Sequence, residues 1–141
     1  MVNLHTILAD HRSRSKRHIE ADSEKPGGSV VATSEIPNLF FDQVLVEYKL
    51  TRVEILVLMY LYRKVWCGPN LYTLHGISPL LSHTEMAKQL HQNLEDVQFA
   101  LRSLEECEFI MTVRSGQYFV RKFFTKQNDD RCGQTYDDFE S

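Results

Sequence analysis

Between residues 94 and 102 the chain reads Leu-Glu-Asp-Val-Gln-Phe-Ala-Leu-Arg. The carboxamide of Gln98 has the donor and acceptor pair that adenine presents in a major groove, and the guanidinium of Arg102 suits a guanine or a phosphate. Glu95 and Asp96 act in the opposite sense, because a carboxylate repels phosphates unless it accepts from a cytosine amino group. Cations that could flank a duplex lie on either side: Lys88 before the stretch, Arg114, Arg121 and Lys122 after it. A further basic cluster, Arg12, Arg14, Lys16 and Arg17, could lie along phosphates or an acidic partner. Leu94 and Phe99 in the same stretch, with Phe40 and Phe41 upstream, are the side chains expected at a protein interface.

Catalytic and metal chemistry find no comparable pattern. The sequence has no phosphate-binding glycine loop, no H-E-x-x-H and no G-x-S-x-G, so no catalytic residue is assigned and no enzyme is expected. His75, His83 and His91 are spaced by eight, which separates His83 and His91 by two helical turns, too far to share a metal without further ligands. Cys67, Cys107 and Cys132 form no C-x-x-C and no disulfide framework. No metal and no cofactor is expected. Reduced cysteines point to a cytoplasmic protein.

The 141 residues carry a formal net charge of −3, with 43% hydrophobic and 25% charged side chains, ordinary values for one soluble domain with tails. The charge is uneven. Basic and acidic residues cancel over 1–35 and again over 36–124, and the excess is in 125–141. A globally basic nucleic-acid binder is therefore excluded, and any DNA contact must come from a local patch. The longest apolar run, Ile55 to Leu61, is far short of the roughly 20 residues that span a bilayer, and no apolar segment of a secretory signal follows the N-terminal basic residues.

The elements that must position these side chains follow from caps and periodicity. Residues 1–34, with the Pro-Gly-Gly of 26–28, have linker composition and are expected to be a flexible arm. Phe40, Val44 and Tyr48 recur at i, i+4 and i+8 after Pro37, which predicts a short helix with an aromatic face. Thr51-Arg-Val-Glu54 is a capping box opening a helix to about Trp66, apolar almost all round and therefore central. Gly68 is placed for a left-handed cap, and Leu71–Leu74 alternates weakly, as a short strand would. Ser82-His-Thr-Glu85 is a second capping box, for a helix over 83–91 that buries Met86, Ala87 and Leu90. After a turn at His91-Gln92, Asn93 is expected to cap the next helix, which buries Leu94, Val97, Leu101 and Leu104 and ends near Glu106. Phe109–Arg114 and Gln117–Phe124 read as a hairpin about Ser115-Gly116, with Val113 facing Tyr118, Met111 facing Val120, and Arg114, Gln117 and Arg121 on the other side. Residues 125–141 read as an acidic flexible tail.

Helix, tight turn, helix and hairpin is the order of a winged helix-turn-helix. Ala87-x-x-Leu90 through Leu101-x-x-Leu104-Glu-Glu and Phe109-Ile110 resembles the winged-helix signature of bacterial transcriptional regulators and phage replication proteins, with the same spacing throughout. Ile36-Pro-Asn-Leu-Phe-Phe-Asp with Leu50-Thr-Arg-Val-Glu-Ile-Leu-Val-Leu is similar to the start of N-terminal domains in phage, plasmid and primosomal DnaD-type replication proteins. The resemblance covers about 36–124. It implies a mainly α fold with a small β-hairpin wing over 35–124, bound to double-stranded DNA in a transcription or replication role, and often a homodimer on paired half-sites.

The chain departs from that pattern at telling places. His91 and Glu108 stand where the pattern has glycine, Asn93 where it often has serine, and Glu95 and Asp96 where DNA readers tend to carry basic or hydroxyl side chains. Two expectations follow. In the first, Lys88, Gln98, Arg102, Arg114, Arg121, Lys122 and the 12–17 arm contact DNA. In the second, the acidic helix reads no DNA, and Leu94, Phe99, Phe40 and Phe41 contact protein. The fold alone does not decide between them.

Overall fold

Pro37 turns the chain into its first helix: its carbonyl accepts from Phe40 N at 3.0 Å. The computed structural model describes residues 31–137. The basic cluster at 12–17, the rest of the expected arm to residue 30, and Phe139 lie outside the described residues. Phe40–Val44 is a π-helical turn, with Leu45 N donating to Phe40 O, and it runs into one α-turn, Leu45–Glu47. Together these form α1. The predicted aromatic face is present: Phe40 and Val44 are buried, and Tyr48 meets the Phe109 ring edge-on at 4.7 Å.

The central helix α2, Arg52–Trp66, starts on its predicted capping box. Thr51 Oγ1 accepts from Glu54 N at 3.2 Å, and Thr51 N donates to Glu54 Oε1 at 2.7 Å. Val57, Leu58, Tyr60, Leu61, Tyr62 and Val65 are buried on it. At about 1.5–3 kcal/mol for each fully buried aliphatic side chain, this helix is the largest apolar contributor to the fold. Its end differs from expectation. Gly68 is not left-handed. Instead Val65 O is taken by Asn70 Nδ2 at 3.3 Å and Thr73 Oγ1 at 3.1 Å. Those bonds fold Thr73–His75 into a 3-10 turn closed by left-handed Gly76, so the strand expected at Leu71–Leu74 does not form there. The strand-like contact comes at Ile77, which bridges to Phe119.

Helix α3, His83–Leu90, opens on Ser82, whose Oγ accepts from Glu85 N at 3.2 Å. Half of the expected box forms: the Glu85 carboxylate takes Gln89 Nε2 instead. Helix α4, Leu94–Glu106, follows, burying Val97, Ala100, Leu101 and Leu104. Asn93 makes no side-chain cap, because its amide donates to Asp96 Oδ2. Both helices end in the same way. Gln92 N reaches back to Ala87 O and His91 N to Lys88 O; Phe109 N reaches Leu104 O and Glu108 N reaches Glu105 O. These are Schellman closures, whose turning residue is usually glycine in the left-handed region. Here His91 (φ 56°) and Glu108 (φ 64°) take that conformation themselves.

Strands β1, Ile110–Arg114, and β2, Gln117–Val120, pair antiparallel about Ser115-Gly116. Arg114 lies opposite Gln117, but Val113 is squeezed out as a bulge. Thr112 therefore faces Tyr118, Met111 faces Phe119 and Ile110 faces Val120. The expected pairs Val113–Tyr118 and Met111–Val120 are each off by one, the shift a bulge introduces. Gln117 is buried rather than outward, its Nε2 donating to Ser78 O at 2.9 Å. The other edge of β2 is held by 76–81: Ser78 N donates to Tyr118 O, Leu81 N to Gly116 O, and Val120 N to Gly76 O.

The expected acidic tail is instead part of the fold to residue 137. Thr125 Oγ1 caps helix α5, Lys126–Arg131, and Asn128 and Asp129 on it are buried. Phe124, fully buried, stacks on Tyr62 at 5.0 Å and tilts against Phe40 at 5.1 Å. Among the described residues the architecture is mainly helical with one small two-stranded antiparallel sheet.

Candidate functional site

Helix α4 buries one face against α2 and α3 and leaves the rest outward. Gln98 and Arg102 are exposed and line one cleft of about 370 Å³ together with His83, Leu101, Glu105, Thr112 and Tyr118. Two hydrogen bonds brace it: His83 Nε2 with the Tyr118 hydroxyl, and the Thr112 hydroxyl to Glu105 Oε1. Burial, and then the Glu105 carboxylate, push the Tyr118 hydroxyl up to about 12, so it stays neutral beside the imidazole at any ordinary pH. The cleft thus offers a carboxamide, a guanidinium, the Glu105 carboxylate held by Thr112, and a neutral Tyr118 hydroxyl.

A second cleft, of about 280 Å³, lies on the other side of α4, between it and the start of α2. Thr51, Val53, Glu54, Asp96, Phe99 and Ala100 line it. Phe99 is 64% exposed and Leu94 40%, so the two apolar residues expected at a protein surface are outward. Leu94 accordingly does not join Val97, Leu101 and Leu104 in the core, as its spacing suggested. The Arg102 guanidinium lies over the Phe99 ring at 5.8 Å, which links the two clefts. Four carboxylates on α4 (Glu95, Asp96, Glu105, Glu106) face one guanidinium, so the helix surface is acidic.

The other expected contacts divide. Lys88 is exposed on α3. Arg114 is exposed at the hairpin tip, with Nε donating to Gln117 Oε1 at 2.9 Å. Arg121 is turned inward: its side chain is 19% exposed, and Nη1 meets Asp129 Oδ2 at 3.1 Å. Its guanidinium also covers the Phe119 ring at 5.2 Å. Lys122 Nζ lies over the Trp66 ring at 5.4 Å, while its backbone joins Tyr136 and Tyr62. Of these two side chains offered to a duplex, Arg121 therefore faces Asp129 on α5 and Lys122 lies over Trp66 of α2. Phe40 is also removed from any interface, since it is 2% exposed and packs on Phe124 in the core; Phe41, beside it, is 52% exposed.

Sequence reasoning missed the centre that draws Arg121 inward. Asp129, with a side chain 2% exposed, accepts from Arg121, from the Tyr136 hydroxyl at 2.6 Å and from Phe123 N at 3.0 Å. Burial first, then the hydrogen bond to Asp129, hold the Tyr136 hydroxyl well above the usual tyrosine range. One signal was available: Thr125-x-x-Asn128 is a helix-start pattern, and it stands in a segment otherwise polar enough to read as a tail.

Among the described residues no group of three or more His, Cys, Asp or Glu could hold a metal ion, and no helix is long and apolar enough to cross a membrane. No family model matches the chain, nor does any curated protein or any solved structure.

Proposed function

We propose that the domain is a winged-helix module that binds duplex DNA, of the replication-initiation or transcription-regulating type, with α4 as the reading helix and β1–β2 as the wing. The observation that carries this reading is the exposure of Gln98 and Arg102 along one braced cleft between α4 and β1. The left-handed residues at 91 and 108 support it. They close α3 and α4 at the positions where the resembled pattern places glycine, and so keep its geometry with different side chains. Gln98 is the base reader, Arg102 contacts a base or a phosphate, and Lys88 and Arg114 sit on phosphates. Arg121 and Lys122 support the wing from within. The 12–17 cluster adds charge.

Salt dependence of binding tests this directly. Three phosphate contacts from Lys88, Arg102 and Arg114 give a slope of log K against log salt of about −2.7, steeper with the arm. Arg102→Ala reduces the slope by about 1, whereas Arg121→Ala leaves it unchanged because that guanidinium already serves Asp129. Binding that is absent at low salt, or indifferent to salt, refutes the reading.

A second reading rests on a separate observation. Phe99 is 64% exposed on a helix with four carboxylates and one guanidinium, the composition of a surface that meets a basic protein. In that reading the module is an adaptor and α4 reads no DNA. Phe99→Ser then abolishes partner binding, and Gln98→Ala has no effect on any duplex.

A further inference from the structure

Tyr62 and Trp66 of α2 line a cleft of about 970 Å³, larger than either cleft beside α4 and sharing no residue with them. Its banks are two segments far apart in sequence, 34–38 and 134–137. The first is tied to α2 by Arg63 Nε, which donates to Ser34 Oγ at 3.2 Å. The second is tied to the 3-10 turn, where Asp137 N donates to Leu74 O at 3.0 Å. The ring donors of the lining are already used within the fold: Trp66 Nε1 donates to Val120 O at 3.2 Å, and the Tyr62 hydroxyl to Lys122 O at 2.8 Å. These rings therefore offer a ligand apolar surface rather than donors, and Leu74, 72% exposed, adds an aliphatic wall.

The charges on the lining identify the chemistry of the occupant. Lys122 is half-buried, with Nζ over the Trp66 ring, and its backbone is held at both groups: the Tyr62 hydroxyl donates to its O, and its N donates to Tyr136 Oη at 2.9 Å. The ammonium is thus positioned in advance, which lowers the ordering cost of a contact. Glu35 and Asp137 are exposed on the banks. Among the described residues no ion pair holds Lys122, Glu35 or Asp137. A monoanion drawn to Lys122 would meet two carboxylates, and a monocation drawn to the carboxylates would leave Lys122 unmatched. A ligand carrying both signs satisfies all three. We propose that this cleft binds a short zwitterionic peptide of about dipeptide size with an apolar side chain. Its carboxylate meets Lys122, its ammonium meets Glu35 and Asp137, and its side chain covers Leu74 and Trp66. The volume lies at the upper end of the roughly 300–1,000 Å³ of small-molecule clefts, which gives room for two residues. The proposal does not rest on the DNA reading, because none of Lys88, Gln98, Arg102 and Arg114 lines this cleft.

Trp66 is the only tryptophan of the chain, so its emission reports on the cleft directly. The full chain is titrated with L-phenylalanyl-L-alanine, followed by Trp66 fluorescence and by calorimetry. Saturable binding with a Kd below about 1 mM is expected. Amidating the carboxylate of the dipeptide, or acetylating its amine, should each weaken binding about tenfold, the worth of one charge-assisted hydrogen bond. Lys122→Met should weaken the free dipeptide by the same factor and abolish the preference for acid over amide, while Asp137→Asn reduces only the preference for free over acetylated amine. Thermal melts check that both variants fold. The absence of saturable binding by both methods up to about 10 mM overturns the proposal. So does equal binding of acid and amide by wild type, or a folded Lys122→Met that still prefers the acid.

Discussion

Removing the Asp129 carboxylate should destabilise the whole domain, although it lies in a segment with the composition of a tail. The carboxylate holds three donors: Arg121 Nη1 at 3.1 Å, Tyr136 Oη at 2.6 Å and Phe123 N at 3.0 Å. Asp129→Ala strands all of them. Breaking a buried ion pair by deleting one partner costs about 3–5 kcal/mol. Arg121 keeps some access to water, with 19% of its side chain exposed, so the low end applies, about 3 kcal/mol. For a domain of roughly a hundred residues the unfolding entropy is about 210 cal/mol/K, so the melting temperature should fall by about 14 °C. Asp129→Asn keeps an acceptor for Phe123 N and loses the charge, and about half the shift is expected. Circular dichroism melts and urea titrations read both variants. An Asp129→Ala melt within about 4 °C of wild type would refute the reasoning and return 125–137 to the status of an appendage.

Three further outcomes are expected. Glu108→Gly and His91→Gly each relieve a left-handed strain of ~1–2 kcal/mol and add glycine's unfolded-state entropy, for a net gain of about 0.5–1 kcal/mol in urea unfolding. Gly116→Ala goes the other way: at φ +80° its methyl would lie 2.5 Å from Leu81 O, and a loss of about 2–4 kcal/mol should appear in the same assay. Finally, stability should fall as pH rises above about 10. Burial raises the hydroxyls of Tyr62, Tyr118 and Tyr136 in the folded state, Tyr118 to about 12. Between the unfolded tyrosine value near 10 and the folded ones, the unfolded chain binds fewer protons, so rising pH favours unfolding until the folded hydroxyls ionise too. Alkaline denaturation followed by tyrosinate absorbance checks the window.

Periodicity and capping chemistry made the helices legible, because both act within a few residues. Thr51 with Glu54, and Val97 with Leu101 and Leu104, behave as their spacing predicts. What escaped depends on partners distant in sequence or on the choice of one local bond among several. The Val113 bulge is invisible in a two-residue loop signal, and it shifts each predicted strand pair by one. Asn70 spends its side chain on Val65 O and Ile77 O, which turns an alternating stretch into a 3-10 corner. Arg121 looks like a free cation until Asp129 and Tyr136 fold back on it. At the candidate site, the exposure of Gln98, Arg102 and Phe99 was legible from helix phase. The burial of Phe40 follows its spacing to Val44 and Tyr48, and it is the interface role offered to it that its packing on Phe124 removes.

The segment 76–81 has a consequence for how this protein survives at high concentration. It occupies the far edge of β2, with Ser78, Leu81 and Gly76 hydrogen-bonding Tyr118, Gly116 and Val120. Among the described residues, no strand pairs with the outer edge of β1. The sheet therefore has a single side on which a foreign strand could add, and Met111 and Val113 on β1 are apolar and exposed. The bulge at Val113 breaks the run of evenly spaced backbone donors there, and Arg114 places a charge at its end. Both devices discourage edge-to-edge growth. A change that straightened β1 or neutralised Arg114 should raise edge-to-edge association, read as light scattering at high concentration.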